Sequence, residues 1–158
     1  MAYESSTSPA GTVRRHPVQL AAAVVGAVFL LVGILGFIPG ITTNFDQLAF
    51  AGHNSGALLL GLFAVSVLHN LVHAAFGVAG LLLSRTRSGA KNFLIVGGAV
   101  YAVLWVYGLV IDHGGPANFV PLNTADNWLH FVLAVAMIAL GAMGLRRLEH
   151  RGSGPSLA

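Results

Sequence analysis

Apolar positions in this chain do not alternate with polar ones; they run on without a break. Residues 18–38 hold Gln19 as their only polar side chain. As a helix, such a run is about 31 Å long, enough to cross a hydrocarbon core of about 30 Å. It is too long for the apolar segment of a signal peptide, and no small-residue cleavage site follows it. A second run, 55–83, is broken by Ser66, His69, Asn70 and His73. It is longer than one span needs, which predicts tilt or projection from the membrane. Residues 93–111 and 127–145 supply two more spans, the first carrying Tyr101, Trp105 and Tyr107 and the second opening with Asn127-Trp128-Leu129-His130. Residues 1–17 and 146–158 are polar and Gly/Ser-containing, and they read as tails, the first disordered. The expected domain is therefore 18–145, with loops at 39–54, 84–92 and 112–126.

Composition agrees with this pattern. Of 158 residues, 56% are apolar and 8% charged, with a mean hydropathy of +0.79. A soluble domain carries about a quarter charged residues. An ordinary soluble domain, a disordered chain and a coiled coil are excluded. The absence of cysteine removes disulfides, thiolate metal sites, thiol catalysis and covalent c-type haem.

Charge placement adds an orientation. Four spans put both chain ends on one side. Arg14, Arg15, Arg85, Arg87, Lys91, Arg146, Arg147 and Arg151 then all lie on that side, whereas the opposite loops carry Asp46, Asp112 and Asp126. The positive-inside rule makes the N- and C-termini cytoplasmic. The basic clusters are not interleaved with aromatic residues, so no nucleic-acid surface is expected.

The costly polar residues are the candidates for chemistry. On a helical wheel Ser66, His69, Asn70, His73, Gly77 and Gly80 occupy one face about 100° wide. That face should point inward, because polar groups facing lipid are expensive. Small residues such as Ala22/Gly26 and Ala139/Ala142 are expected where the other helices touch. His69 and His73, four residues apart, share a face and suit one metal ion. Asn70 stands where helical zinc hydrolases carry a Glu, and no span interior contains a carboxylate, so hydrolytic zinc chemistry lacks its base. Either histidine also suits axial ligation of haem b, with His130 opposite. Taking His69 as the midpoint of its run, it lies level with Tyr101, and His130 is offset by about 7 Å. The remaining readings are a hydrogen-bonded cluster of His69, Asn70, His73 and Tyr101 and a proton or ligand path. Asn123 and Asp126 form a capping-box-like helix start, and Asp126 and His130, four apart, are placed to pair. A metal site built from the outer residues Asp46, His53, Asp112, His113 and Asp126 matches no ligand spacing, and Gly114-Gly115-Pro116 reads as a turn.

Three stretches carry a resemblance: Phe37-Ile38-Pro39-Gly40; Leu68-His69-Asn70-Leu71-Val72-His73 with Gly77-Val78-Ala79-Gly80; and Asn118 through His130. In this order they resemble an uncharacterised family of small four-span membrane proteins common in actinobacteria, known only as a domain of unknown function. The resemblance covers roughly residues 18–145. It implies an integral protein of the bacterial inner membrane and implies no activity, cofactor or catalytic residue.

The expectation is an all-α integral membrane four-helix bundle. No catalytic residues are assigned, and enzyme activity is not expected. The bilayer is the expected partner, together with self-association or other membrane proteins. The leading function is a non-enzymatic accessory or interaction protein with a His/Asn-lined interior. No cofactor is expected in that case; the alternatives are a haem- or metal-binding redox protein using His69, His73 and His130, and a small proton or ligand path.

Overall fold

The computed structural model describes residues 15–152, and the side chains of residues 15–143. Residues 1–14 and 153–158, most of the two expected tails, lie outside the described residues. The protein is mainly helical, with α1 Pro17–Leu35, α2 Val67–Leu83, α3 Arg87–Val110 and α4 Thr124–Gly152. Helices α1 and α3, and Thr124–Met143 of α4, are long and apolar enough to cross a membrane; α2 is shorter, with 17 residues. Its length is about 26 Å.

The helices pack as two antiparallel pairs, α1 on α2 and α3 on α4, joined mainly through α1 against α3. Glycine allows the first pair to approach closely. A Cβ on Gly26 would lie 2.8 Å from the Leu81 nitrogen, and one on Gly33 would lie 2.6 Å from the Ala74 nitrogen. In a membrane, where apolar burial gives helices no advantage over lipid, such contact is what holds them together. Ala22 and Gly26 are buried as expected, but Ala139 is exposed, and α4 instead buries Ala134, Met137 and Gly141.

The outward faces remain apolar. Leu20, Val24, Val28 and Leu31 form an exposed stripe on α1, and Val96, Val100, Val103 and Val110 form another on α3. Exposed apolar surface of this extent belongs against lipid.

One end of the structure is basic. Here Gln19 reaches from α1 to donate to the carbonyl oxygens of Ser84 (3.2 Å) and Arg85 (2.9 Å), satisfying acceptors at the end of α2. The turn 84–86 is tight, and the Thr86 hydroxyl caps α3 by accepting from the Gly89 N–H at 3.0 Å. Helix α3 thus begins at Arg87, six residues before the expected start, and α4 runs beyond the expected end at residue 145.

The other end is capped by folded chain. Strands β1 (Thr42–Thr43), β2 (Leu58–Leu59) and β3 (Phe63–Ala64) form an antiparallel sheet in the order β1-β2-β3. This divides the apolar run 55–83: only 67–83 is helical, and 55–66 belongs to the cap. The hairpin turns at Leu60 and Gly61, both with positive φ (54° and 71°), the backbone that matches the twist of paired strands. The chain then enters α2 through Ser66, whose hydroxyl accepts from the His69 N–H at 3.1 Å, an N-cap. Thr42 lies under the sheet and donates to the Leu35 carbonyl at 3.2 Å, closing the end of α1.

Candidate functional site

The early end of α2 sets the geometry of the site. His69 is the third residue of α2 rather than the middle of a long helix. It lies close beneath the cap, and His73 lies one turn deeper. His130 is six residues into α4, about 9 Å along it. The 7 Å offset expected between His69 and His130 assumed a helix that starts too early. The structure brings His69, His73, Tyr101 and His130 to one cavity.

The His69 and His73 Nε2 atoms are 3.1 Å apart, a hydrogen bond between two imidazoles. Tyr101 and His130 meet edge to face with ring centroids 5.1 Å apart. Phe29 of α1 lies against both sides of the group, 5.5 Å from His73 and 5.3 Å from Tyr101. The cavity these residues line has a volume of about 220 Å³. Tyr101, Leu104 and Tyr107 line it from α3 at helical spacing, and Phe119, Val120 and Leu122 roof it. No Lys, Arg, Asp or Glu lines it.

Asn70 and Asp126 lie elsewhere. Asn70 is 2% exposed, and its side chain fills the space above Gly36 on α1. The expected four-residue cluster therefore reduces to the His69–His73 bond. Asp126, 3% exposed, does not pair with His130. Its Oδ2 accepts from the Ala64 N–H of β3 at 2.9 Å and from the Asn123 N–H at 3.0 Å. Asn123 Oδ1 accepts from the Asp126 N–H at 3.0 Å in return. The capping box is present, and the same carboxylate fastens the sheet to α4. At a helix N-terminus a carboxylate also meets the positive end of the helix dipole. The N-terminal end of α4 needs room on α3, and Gly108 supplies it by facing the Asn127 side chain.

The loop over the site is tied down by its own polar groups. Asn118 donates to the His113 (2.8 Å) and Leu122 (3.0 Å) carbonyl oxygens and accepts from the Leu122 N–H (2.9 Å). A His113 ring N–H donates to the Gly108 carbonyl at 2.9 Å, and Asp112 accepts from the Gly114 N–H at 2.9 Å. These are turn contacts. Among the described residues, no three His, Asp or Glu side chains are grouped to hold a metal ion.

Beneath the cavity the interior is apolar. Phe29 meets Phe76 edge to face and Phe76 meets Phe93 at a tilt, with centroids 5.0 and 4.9 Å apart, beside the buried Leu94 and Met137. The cavity is blind on the side of the basic end. His130 Nδ1, behind the cavity wall, is buried and without a hydrogen bond. Imidazoles recur in the sequence as a visible signal. The roof, Phe119-Val120-Pro121-Leu122, lies within the Asn118–His130 stretch that carries the family resemblance, but its apolar side chains do not mark it as cavity lining.

Residues 19–143 match the family model described as a domain of unknown function (DUF4383). The chain belongs to that family. No curated protein and no solved structure matches it.

Proposed function

We propose that this chain is a four-span integral protein of the bacterial cytoplasmic membrane, with both termini cytoplasmic, acting as a non-enzymatic accessory or interaction protein. Its domain is residues 18–145, and its binding feature is the blind cavity of His69, His73, Tyr101 and His130. Arg15, Arg85, Arg87 and Lys91 at the basic end, against Asp46 and Asp112 beside the cap, support the orientation. On this reading α2 is the fourth span despite its length. The cap continues it: Ser55, Ala57, Leu59, Ala64 and Val65 are buried, as backbone at membrane depth must be.

One observation carries the binding role: a cavity that gathers His69, His73, Tyr101 and His130 in otherwise apolar walls, above an interior of phenylalanines in edge and tilted contact. A few polar groups converging in an apolar cavity are the usual form of a small-molecule site. A proton path needs continuous polar groups, and between Phe29 and the basic end the core is built of Phe76, Phe93, Leu94 and Met137. A haem is a poor fit for size, because 220 Å³ falls below even the roughly 300–1,000 Å³ of pockets for drug-sized ligands.

Proteoliposomes holding the full chain and a pH-sensitive dye should conduct protons no faster than protein-free vesicles. The chain purified from its native host should show no stoichiometric Soret band. Flux abolished by His73→Leu would replace the binding role with a path; a Soret band abolished by His130→Leu would replace it with haem redox chemistry.

A further inference from the structure

The cavity has a side opening, and its rim is apolar. Val72 is 50% exposed on α2, Tyr107 38% exposed on α3, and Phe119 60% exposed on the roof loop. All three also line the cavity. The opening therefore lies on the flank between α2 and α3, where these helices pack only sparsely. Val103, close to Tyr107 on the wheel of α3, is exposed as well. A ligand entering here arrives from lipid and not from water.

The lining sets the chemistry of that ligand. It offers three imidazoles and the phenols of Tyr101 and Tyr107, the latter already donating to the Ala117 carbonyl, in otherwise apolar walls with no cation and no anion. A phosphate or carboxylate head would lose its hydration without a counter-charge, at a cost of several kcal/mol. An uncharged head that accepts hydrogen bonds loses little and gains partners. Donors are available. In an Nε2–Nε2 bond between two neutral imidazoles, one ring carries its proton on Nε2 and the other on Nδ1. That Nδ1–H is not open to the cavity when it lies on His69, whose Nδ1 is buried, as is His130 Nδ1; the groups left for a ligand are the Tyr101 hydroxyl and the His130 Nε2. His130 and Tyr101, with rings 5.1 Å apart, face them from α4 and α3. The volume, about 220 Å³, suits a compact ring-sized head, with any long tail remaining outside among the lipids.

Resting on the binding role proposed above, we infer that this cavity receives the carbonyl-bearing ring of a quinone-type lipid through the opening between Val72 and Phe119, with His130 and Tyr101 as hydrogen-bond partners of its oxygens. The inference concerns binding alone and involves no electron transfer.

The test is titration calorimetry on the full chain in phosphatidylcholine nanodiscs, with a decyl-substituted benzoquinone, decanol and decyl phosphate as probes. The quinone is expected to bind at one site per chain, at least tenfold more tightly than decanol, with decyl phosphate not binding. Tyr101→Phe, which keeps the ring and removes the hydroxyl, should weaken the quinone about tenfold and leave decanol within about threefold. His130→Leu should weaken it by a similar factor. Val72→Trp alters only an exposed rim position and should abolish binding of both neutral probes. Equal affinity for quinone and decanol, both blocked by Val72→Trp, would overturn the quinone inference and leave the binding role standing. Tighter binding of decyl phosphate would overturn it as well. No binding of any probe to monodisperse, helical protein would overturn both.

Discussion

Replacing Gly77 by leucine is expected to destroy the native packing of this protein. A Cβ at position 77 would lie 2.7 Å from the Gly26 carbonyl oxygen and 2.7 Å from the Leu30 Cα. Both are backbone atoms of α1 and cannot rotate away as a side chain can. A leucine would have to push α1 and α2 apart along their contact, and Gly26, Gly33 and Gly80 would lose their close approaches with it. Overpacking in a core costs about 1–3 kcal/mol where side chains can adjust; against fixed backbone the loss should reach about 4 kcal/mol or more, the range of the most severe single substitutions. Unfolding by titration with a denaturing detergent, followed by circular dichroism, would measure it. Gly114→Ala is the control: its Cβ would find only Asp112 Oδ1, at an ordinary 3.6 Å, and stability should stay within about 0.5 kcal/mol.

The second large effect is expected at Asp126. Its carboxylate is the acceptor for two backbone N–H groups, those of Ala64 and Asn123. Asp126→Ala leaves both donors without a partner in a buried place. At about 1–3 kcal/mol for each unsatisfied group, the loss should be about 2–6 kcal/mol. Asp126→Asn keeps an acceptor oxygen and should lose less than half as much. The effect should also be local. The sheet would detach from α4 before the helices part, so amide exchange should rise first over residues 58–64. If Asp126→Ala unfolds the helices and the sheet together, the carboxylate supports more than the cap. If it changes nothing, the two hydrogen bonds contribute no net stability.

The helical frame was legible because long apolar runs admit few other structures. The inward face of α2 was legible because polar groups on one side of an apolar helix have only one low-energy orientation. The Asn123–Asp126 capping box was legible from spacing alone. The cap was not. Leu58-Leu59-Leu60-Gly61-Leu62-Phe63-Ala64 is as apolar as the helix that follows, so hydropathy merged the two. The separating signals were brief: Gly61, whose positive φ turns the hairpin, and Ser66, which caps α2. That merger displaced His69 by several turns and hid its meeting with His130. The second role of Asp126 depends on a pairing across the fold, from β3 to α4, which no local pattern records. Asn70 shows the same limit. Its position on the wheel next to His69 was correct, yet the empty space above Gly36 claimed its side chain.

The account depends on where the cavity lies relative to the two membrane faces, and the natural absence of cysteine allows a direct measurement. Asn54 is exposed in the cap, and Ser88 is exposed at the basic end. Single cysteines introduced as Asn54→Cys and Ser88→Cys would be treated in intact cells with a maleimide too polar to cross the cytoplasmic membrane. Asn54→Cys is expected to be labelled in intact cells, and Ser88→Cys only after the membrane is permeabilised. Labelling of Ser88→Cys in intact cells, with Asn54→Cys protected until permeabilisation, would contradict it.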